Sequence, residues 1–264
     1  TFNAVKHYKL DIGLLQPGDP ADFIIVNNLE EFKVLSTYIN GKKVSENGIT
    51  HISSVEEKPI NFFQCKKIKT TDIEVEAKSG KIHVIEATDG QLITNNLICN
   101  CKIENNKAIS DVENDILKMV VLNRYKESPP AVAFAKNFGI KHGAIASTVA
   151  HDSHNIIAVG ANDQDIVKAV NLLIESKGGI SLVSAGEEMV LGLPVAGLMT
   201  VDDGYKTAAE YDKMDKKAKS LGSKLGAPYM TLSFCALLVI PKLKLSDKGL
   251  FDGEKFQFTS LFEN

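Results

Sequence analysis

The sequence predicts an α+β fold, with mostly antiparallel β-sheet layers and a few covering helices, preceded by a partial β-sandwich segment. Three observations predict it. Short runs rich in β-branched residues recur along the chain with turn residues between them. Only two segments carry a helical pattern, and both fall late in the order. The strands are not followed one by one by helices, as parallel βαβ units require.

The elements follow in order. The opening residues read as the end of a helix. Apolar runs at Phe23 to Val26 and Val34 to Ile39 predict strands, and Asn40-Gly41 is a two-residue hairpin signal. Ser45 to Pro59 is polar and irregular and reads as a linker, so the chain is divided into residues 1–58 and 59–264. From Phe62 the pattern is again strand-like. Ile73, Val75 and Ala77 alternate with acidic residues, and Ile82 and Val84 follow a Ser79-Gly80 turn. Further strands are expected at Leu97 to Ile103, Ile116 to Arg124, Ala144 to Val149, Ile156 to Val159 and Ile180 to Val183.

Asp163 is expected to cap a helix whose Ile166, Val167, Val170, Leu173 and Ile174 share a face, with Gly178 just past its end. A second helix is expected from about Tyr205 to Leu221, capped by Asp202-Asp203 and stopped at Gly222. Glu187-Glu188 reads as a solvated hairpin tip.

Composition excludes several classes of function. With 264 residues, 44% of them hydrophobic and 24% charged, the chain has ample material for a folded core. Its charges are interspersed and sum to −3, so no basic stripe points to nucleic acid. No apolar run approaches the roughly 18 to 20 residues that span a bilayer, and Thr1-Phe2-Asn3-Ala4 opens no leader pattern. A cytoplasmic protein is expected, and the missing initial methionine suggests a piece of a longer chain. Cys65, Cys99, Cys101 and Cys235 form no Cys-x-x-Cys spacing and read as reduced thiols. Cys99 and Cys101 would share one strand face as a two-thiol site, but packing is the commoner fate of cysteine.

Two blocks are more specific. The first is Gly13-Leu14-Leu15-Gln16-Pro17-Gly18-Asp19-Pro20-Ala21-Asp22, running into Phe23 to Val26. The second runs from His142 to Gly160 and contains His151-Asp152-Ser153-His154-Asn155. Gly197-Leu198-Met199, Pro228 to Phe234 and Leu243 to Leu250 follow in order. The first block resembles the segment in which amidohydrolases leave their catalytic barrel for the flanking β-sandwich. The second, with the segments after it, is similar to the adenine deaminase C-terminal domain. The chain departs from that family where Arg124-Tyr125 stands in place of an Arg-His pair, and where Ser128-Pro129-Pro130 replaces a glycine-rich stretch.

The resemblance implies hydrolysis of adenine to hypoxanthine and ammonia, a purine-salvage reaction. It also implies a divalent metal (Mn, Fe or Zn) held by the enzyme's own N-terminal barrel, and a homo-oligomer. No His-x-His occurs in this chain, so neither a metal nor activity is expected of it alone. The resemblance further implies that His151, Asp152 and His154 shape the active site and that Ser153 and Asn155 contact substrate.

Read without the family, five polar side chains between apolar runs are paired, exposed in a cleft, or placed for chemistry. On a helical turn His151 and His154 would share a face; on a strand Asp152 and His154 would. Either lets a carboxylate orient an imidazole. The bland alternative is a polar turn whose side chains cap the backbone. His7, His51, His83 and His142 are isolated. A related purine or cyclic-amide amidohydrolase, and a non-catalytic structural or oligomerisation module, are the rival readings.

Overall fold

The protein is described from a computed structural model covering residues 1–55, 58–78 and 80–263. It has two compact units, divided between residues 56 and 57. Two linker residues, Glu56 and Glu57, and Ser79 of the expected turn lie outside the described residues.

The first unit holds helix α1 (Phe2–Tyr8) and strands β1 (Phe23–Val26), β2 (Val34–Ile39), β3 (Lys42–Glu46) and β4 (Ile49–Thr50), an antiparallel sheet in sequence order. Asn40 and Gly41 both have positive φ, 50° and 74°, as the tight β2–β3 turn requires. The Asp22 carboxylate accepts hydrogen bonds from the Asn40 and Gly13 amides, which hold its pKa below the usual carboxylate value. It thereby ties the Pro-Gly loop to the hairpin. Ile24 and Ile25 are adjacent on β1 and both exposed, so neither face of this sheet is closed within the unit.

In the second unit the strands are β5 (Lys81–Ala87), β6 (Thr94–Asn100), β7 (Ile103–Glu104), β8 (Lys107–Ala108), β9 (Ile116–Leu122), β10 (Ala131–Lys136), β11 (Ala144–Ser147) and β12 (Ile156–Gly160). Helix α2 (Asp163–Glu175), β13 (Gly179–Ser184), β14 (Glu187–Gly192), α3 (Gly204–Ser220) and α4 (Pro228–Phe234) follow, then β15 (Leu243–Ser246), β16 (Gly249–Asp252) and β17 (Gln257–Phe258). The principal sheet has eight strands in the order β14-β13-β11-β12-β9-β10-β5-β6, all antiparallel except β10 with β5.

Side chains alternate across this sheet, and each set has its own cover. Val120, Leu122, Ala144, Ala146, Ile156 and Ala158 pack with Ile166, Val170 and Leu173 of α2. Leu117, Met119, Val121, Ile145, Ile157 and Val159 pack with Met214 of α3, Leu232 of α4 and Leu243 of β15. The central strands are buried on both faces, which is why they read as continuous apolar runs.

Several expectations need correction. Ile73 to Ala77 is not a strand: Thr70–Ile73 forms a 3₁₀ turn in which the Asp72 carboxylate accepts the Lys69 amide, and only Glu76 bridges to Lys107. Asn162, not Asp163, caps α2 by accepting from the Asp165 amide. Asp163 instead pairs at 2.7 Å with the buried ammonium of Lys118 on β9. Asp203 alone caps α3, accepting from the Lys206 amide. The tip of the β13–β14 hairpin is Ala185-Gly186, while Glu187 and Glu188 open β14. The expected strands at Leu97, Ile116 and Ala144 end early, at Asn100, Leu122 and Ser147. Strand β10, the β14 strand and helix α4 are additions to the expected elements.

Candidate functional site

The chain leaves the principal sheet at the end of β11 and re-enters it as β12, and residues 148–155 make the crossing. Thr148 anchors the exit. Its Oγ1 donates to the Gly197 carbonyl at 2.5 Å and accepts from the Gly179 amide at 2.8 Å. The turn then closes on itself, the His154 amide donating to the Ala150 carbonyl at 2.7 Å. His154 sits at φ 51°, in the left-handed region, which reverses the chain ahead of Ile156.

This geometry settles the face question in favour of the turn. The His151 and His154 rings meet edge to face with centroids 5.5 Å apart, and His151 stacks on Phe234 of α4 at 5.4 Å and 20°. Asp152 and Ser153 are exposed, and among the described residues no hydrogen bond joins the Asp152 carboxylate to either imidazole. The turn thus leaves the Asp152 carboxylate without a hydrogen bond to His151 or His154 among the described residues.

Arg124, just past β9, supports the turn from beneath. It is 3% exposed. Its amide donates to the side-chain oxygen of the buried Asn155, and its guanidinium donates to Asn61 Oδ1 at 3.3 Å, the Ala196 carbonyl at 2.7 Å and Tyr125 Oη at 3.0 Å. The Tyr125 hydroxyl in turn donates to the Ser153 carbonyl at 2.7 Å. The rings of Tyr125 and Phe63 lie 4.6 and 5.7 Å from the guanidinium carbon, within cation–π range. Tyr125 thus links Arg124 to the turn. Gly197 makes room: a Cβ there would stand 2.3 Å from Arg124 Nη1.

The electrostatics disfavour the charged form of His154. Burial, then the neighbouring His151 and Arg124, lower its pKa from 6.5, while Asp152 acts weakly in the opposite sense. Its Nδ1 is shielded and has no partner among the described residues. Asn155, expected to contact substrate, is buried and engaged with the Arg124 backbone; Ser153 contributes its carbonyl to Tyr125.

No group of three or more His, Cys, Asp or Glu among the described residues is placed to hold a metal ion. All four cysteines are free thiols, and burial raises the pKa of each. Sequence reasoning missed Phe234, Gly197 and Asn61. The glycine and Phe234 lie in segments noted for their order along the chain, but nothing local marked their contacts.

The model of the adenine deaminase C-terminal domain family matches residues 91–257, and that of the amidohydrolase family matches residues 1–44. Three curated relatives are adenine deaminases. The chain is 50% identical to that of Methanosarcina mazei, over 99% of the chain and 49% of the relative. For Sulfurovum the identity is 49%, over 98% and 47%; for Salinibacter ruber it is 46%, over 98% and 48%. The chain spans about half the length of the curated relatives it matches.

Proposed function

Because the chain belongs to the adenine deaminase C-terminal domain family, we propose that it is the C-terminal portion of an enzyme that hydrolyses adenine to hypoxanthine and ammonia. The observation that carries this reading is the 50% identity to an adenine deaminase along 99% of the chain. Purine salvage in the cytoplasm, by a homo-oligomer, belongs to the same proposal.

Amidohydrolase membership implies a divalent metal, which would lower the pKa of the attacking water. The residues present do not fit such an ion, because among the described residues no group of three or more His, Cys, Asp or Glu side chains is placed to hold one. We therefore assign the metal, whether Mn, Fe or Zn, to the barrel half of the enzyme. His151, Asp152 and His154 shape or close the site, with Ser153 and Asn155 as part of that wall. His154, whose charged form burial disfavours, contributes an imidazole to that wall. Arg124 and Tyr125 hold the turn that carries it.

Ammonia release tests the assignment. The complete enzyme carrying this half should deaminate adenine in preference to other purines, and these 264 residues alone should release no ammonia with Mn, Fe or Zn ions. Preference for another purine would move the assignment to a related amidohydrolase. Release by this chain alone would place the chemistry in these residues.

A further inference from the structure

The 150–155 turn rests on a support that already carries a buried positive charge. Arg124 keeps its guanidinium charge at any ordinary pH, and its partners are neutral acceptors: Asn61 Oδ1, the Ala196 carbonyl and Tyr125 Oη. No carboxylate pairs with it among the described residues. On the turn stand two imidazoles, His151 and His154, with ring centroids 5.5 Å apart. The carboxylate that acts on His154 is that of Asp152, which is exposed and weaker in its effect than His151 or Arg124.

The other charged groups around this support are committed elsewhere. Asp247 accepts from Asn123 Nδ2 at 2.8 Å, Glu127 pairs with Lys66 at 2.8 Å, and the Lys244 ammonium donates to the Phe234 carbonyl at 3.0 Å. Helix α4 faces His151 with the uncharged ring of Phe234. Tyr125 spends its hydroxyl proton on the Ser153 carbonyl.

His154 Nδ1 is shielded and has no hydrogen-bond partner among the described residues. A neutral ring tolerates this, because Nδ1 can be the bare nitrogen while Nε2 carries the proton. The imidazolium has no such choice. Both of its nitrogens carry N–H, so protonation sets a charged donor in a shielded place without an acceptor, on the same side as Arg124. Leaving a charged donor unpaired costs far more than leaving a neutral acceptor so. Against that cost the turn is held by few local contacts: the His154 amide on the Ala150 carbonyl, the Tyr125 hydroxyl on the Ser153 carbonyl, the Arg124 amide on Asn155, and the stack on Phe234. A segment held so can open while the sheet stays folded.

We propose that the 150–155 turn is an acid-released latch: uptake of a proton by His154 detaches the turn from Arg124 and Tyr125 while the principal sheet stays folded. Burial, then His151 and Arg124, hold the closed ring below its ordinary value of 6.5, which the ring regains once the turn opens. Between those two values the opened turn binds the proton and the closed turn does not, so closure is complete above 6.5 and weakens as the pH falls below it. The device needs only the turn and its support, and does not rest on the catalytic reading above.

Amide exchange of this 264-residue chain, followed by NMR and expressed as protection factors, provides the test. Between about pH 7.5 and about pH 5.5 the protection of the His154 amide should fall about three- to tenfold, tenfold being the limit set by one proton one pH unit below the ordinary imidazole value. The amides of β9 and β12 should keep theirs. The ring signals of His154 should titrate with a midpoint below 6.5. His154→Asn removes the proton-binding ring and suits the left-handed backbone at φ 51°, so the amide at position 154 should then be equally protected at both pH values. Equal protection in the wild-type chain at both pH values, a ring midpoint at or above 6.5, or the same acid loss in His154→Asn would overturn the proposal. Loss of protection spread evenly over β9 and β12 would overturn it too, since the sheet would then be unfolding with the turn. Both wild-type measurements decide the matter even where the variant does not fold.

Discussion

The ring of His151 lies stacked on Phe234, centroids 5.4 Å apart and planes 20° apart. Two segments more than 80 positions apart in sequence are joined there, and His151 also meets the His154 ring, with centroids 5.5 Å apart. Phe234→Leu keeps much of the apolar bulk but removes the aromatic contact, worth about 0.5–1.5 kcal/mol. In the complete enzyme, kcat/KM for adenine should fall about 2- to 10-fold with little change in melting temperature. Unchanged kinetics would show that the stack does not set the position of His151 in turnover.

Gly197 offers a test of the support beneath the turn. Its φ is 69°, and an added Cβ would stand 2.3 Å from Arg124 Nη1 and 3.5 Å from Thr148 Oγ1. Gly197→Ala should lower stability by about 1–3 kcal/mol, combining backbone strain with displacement of a packed guanidinium. Denaturant unfolding of this chain measures it.

A third prediction concerns pH. Lys244 is fully buried, donating to the Leu92 and Phe234 carbonyls, and burial pushes its pKa down to about 8. Between pH 8 and its ordinary value of 10.5 the unfolded chain binds the proton that the folded chain has lost, so this residue's contribution to stability rises with pH. The Cys235 thiol, pushed up to about 12, opposes it above pH 9. The difference between wild type and Lys244→Met should therefore move in favour of wild type by about 1 kcal/mol from pH 8 to 9. A flat difference would contradict this.

How much was legible in the sequence follows from where the signals lie. Asn40-Gly41 and the α2 face were readable because a turn and a helix are specified by neighbours. The alternation at Ile73, Val75 and Ala77 misled, since Asp72 captures the Lys69 amide and turns the backbone before any strand partner is met. Strand β10 was hidden by its alanines and the two prolines ahead of it, and α4 by having only seven residues. Asp163 looked like a cap because the buried Lys118 that claims it lies 45 positions away. The His151 to Asn155 cluster was visible as polarity in an apolar stretch. Its support was not, because Asn61, Arg124, Ala196 and Phe234 meet only in three dimensions.

The most direct measurement is kcat/KM for adenine of the complete enzyme with His151, Asp152 or His154 changed singly to Ala, read beside melting temperature and metal content. If the turn shapes or closes the active site, each change should cost about tenfold to a thousandfold, the scale of positioning and acid–base groups, with metal content retained. Wild-type kcat/KM in all three variants, accompanied only by a lower melting temperature, would contradict a role in catalysis and leave the turn a structural element.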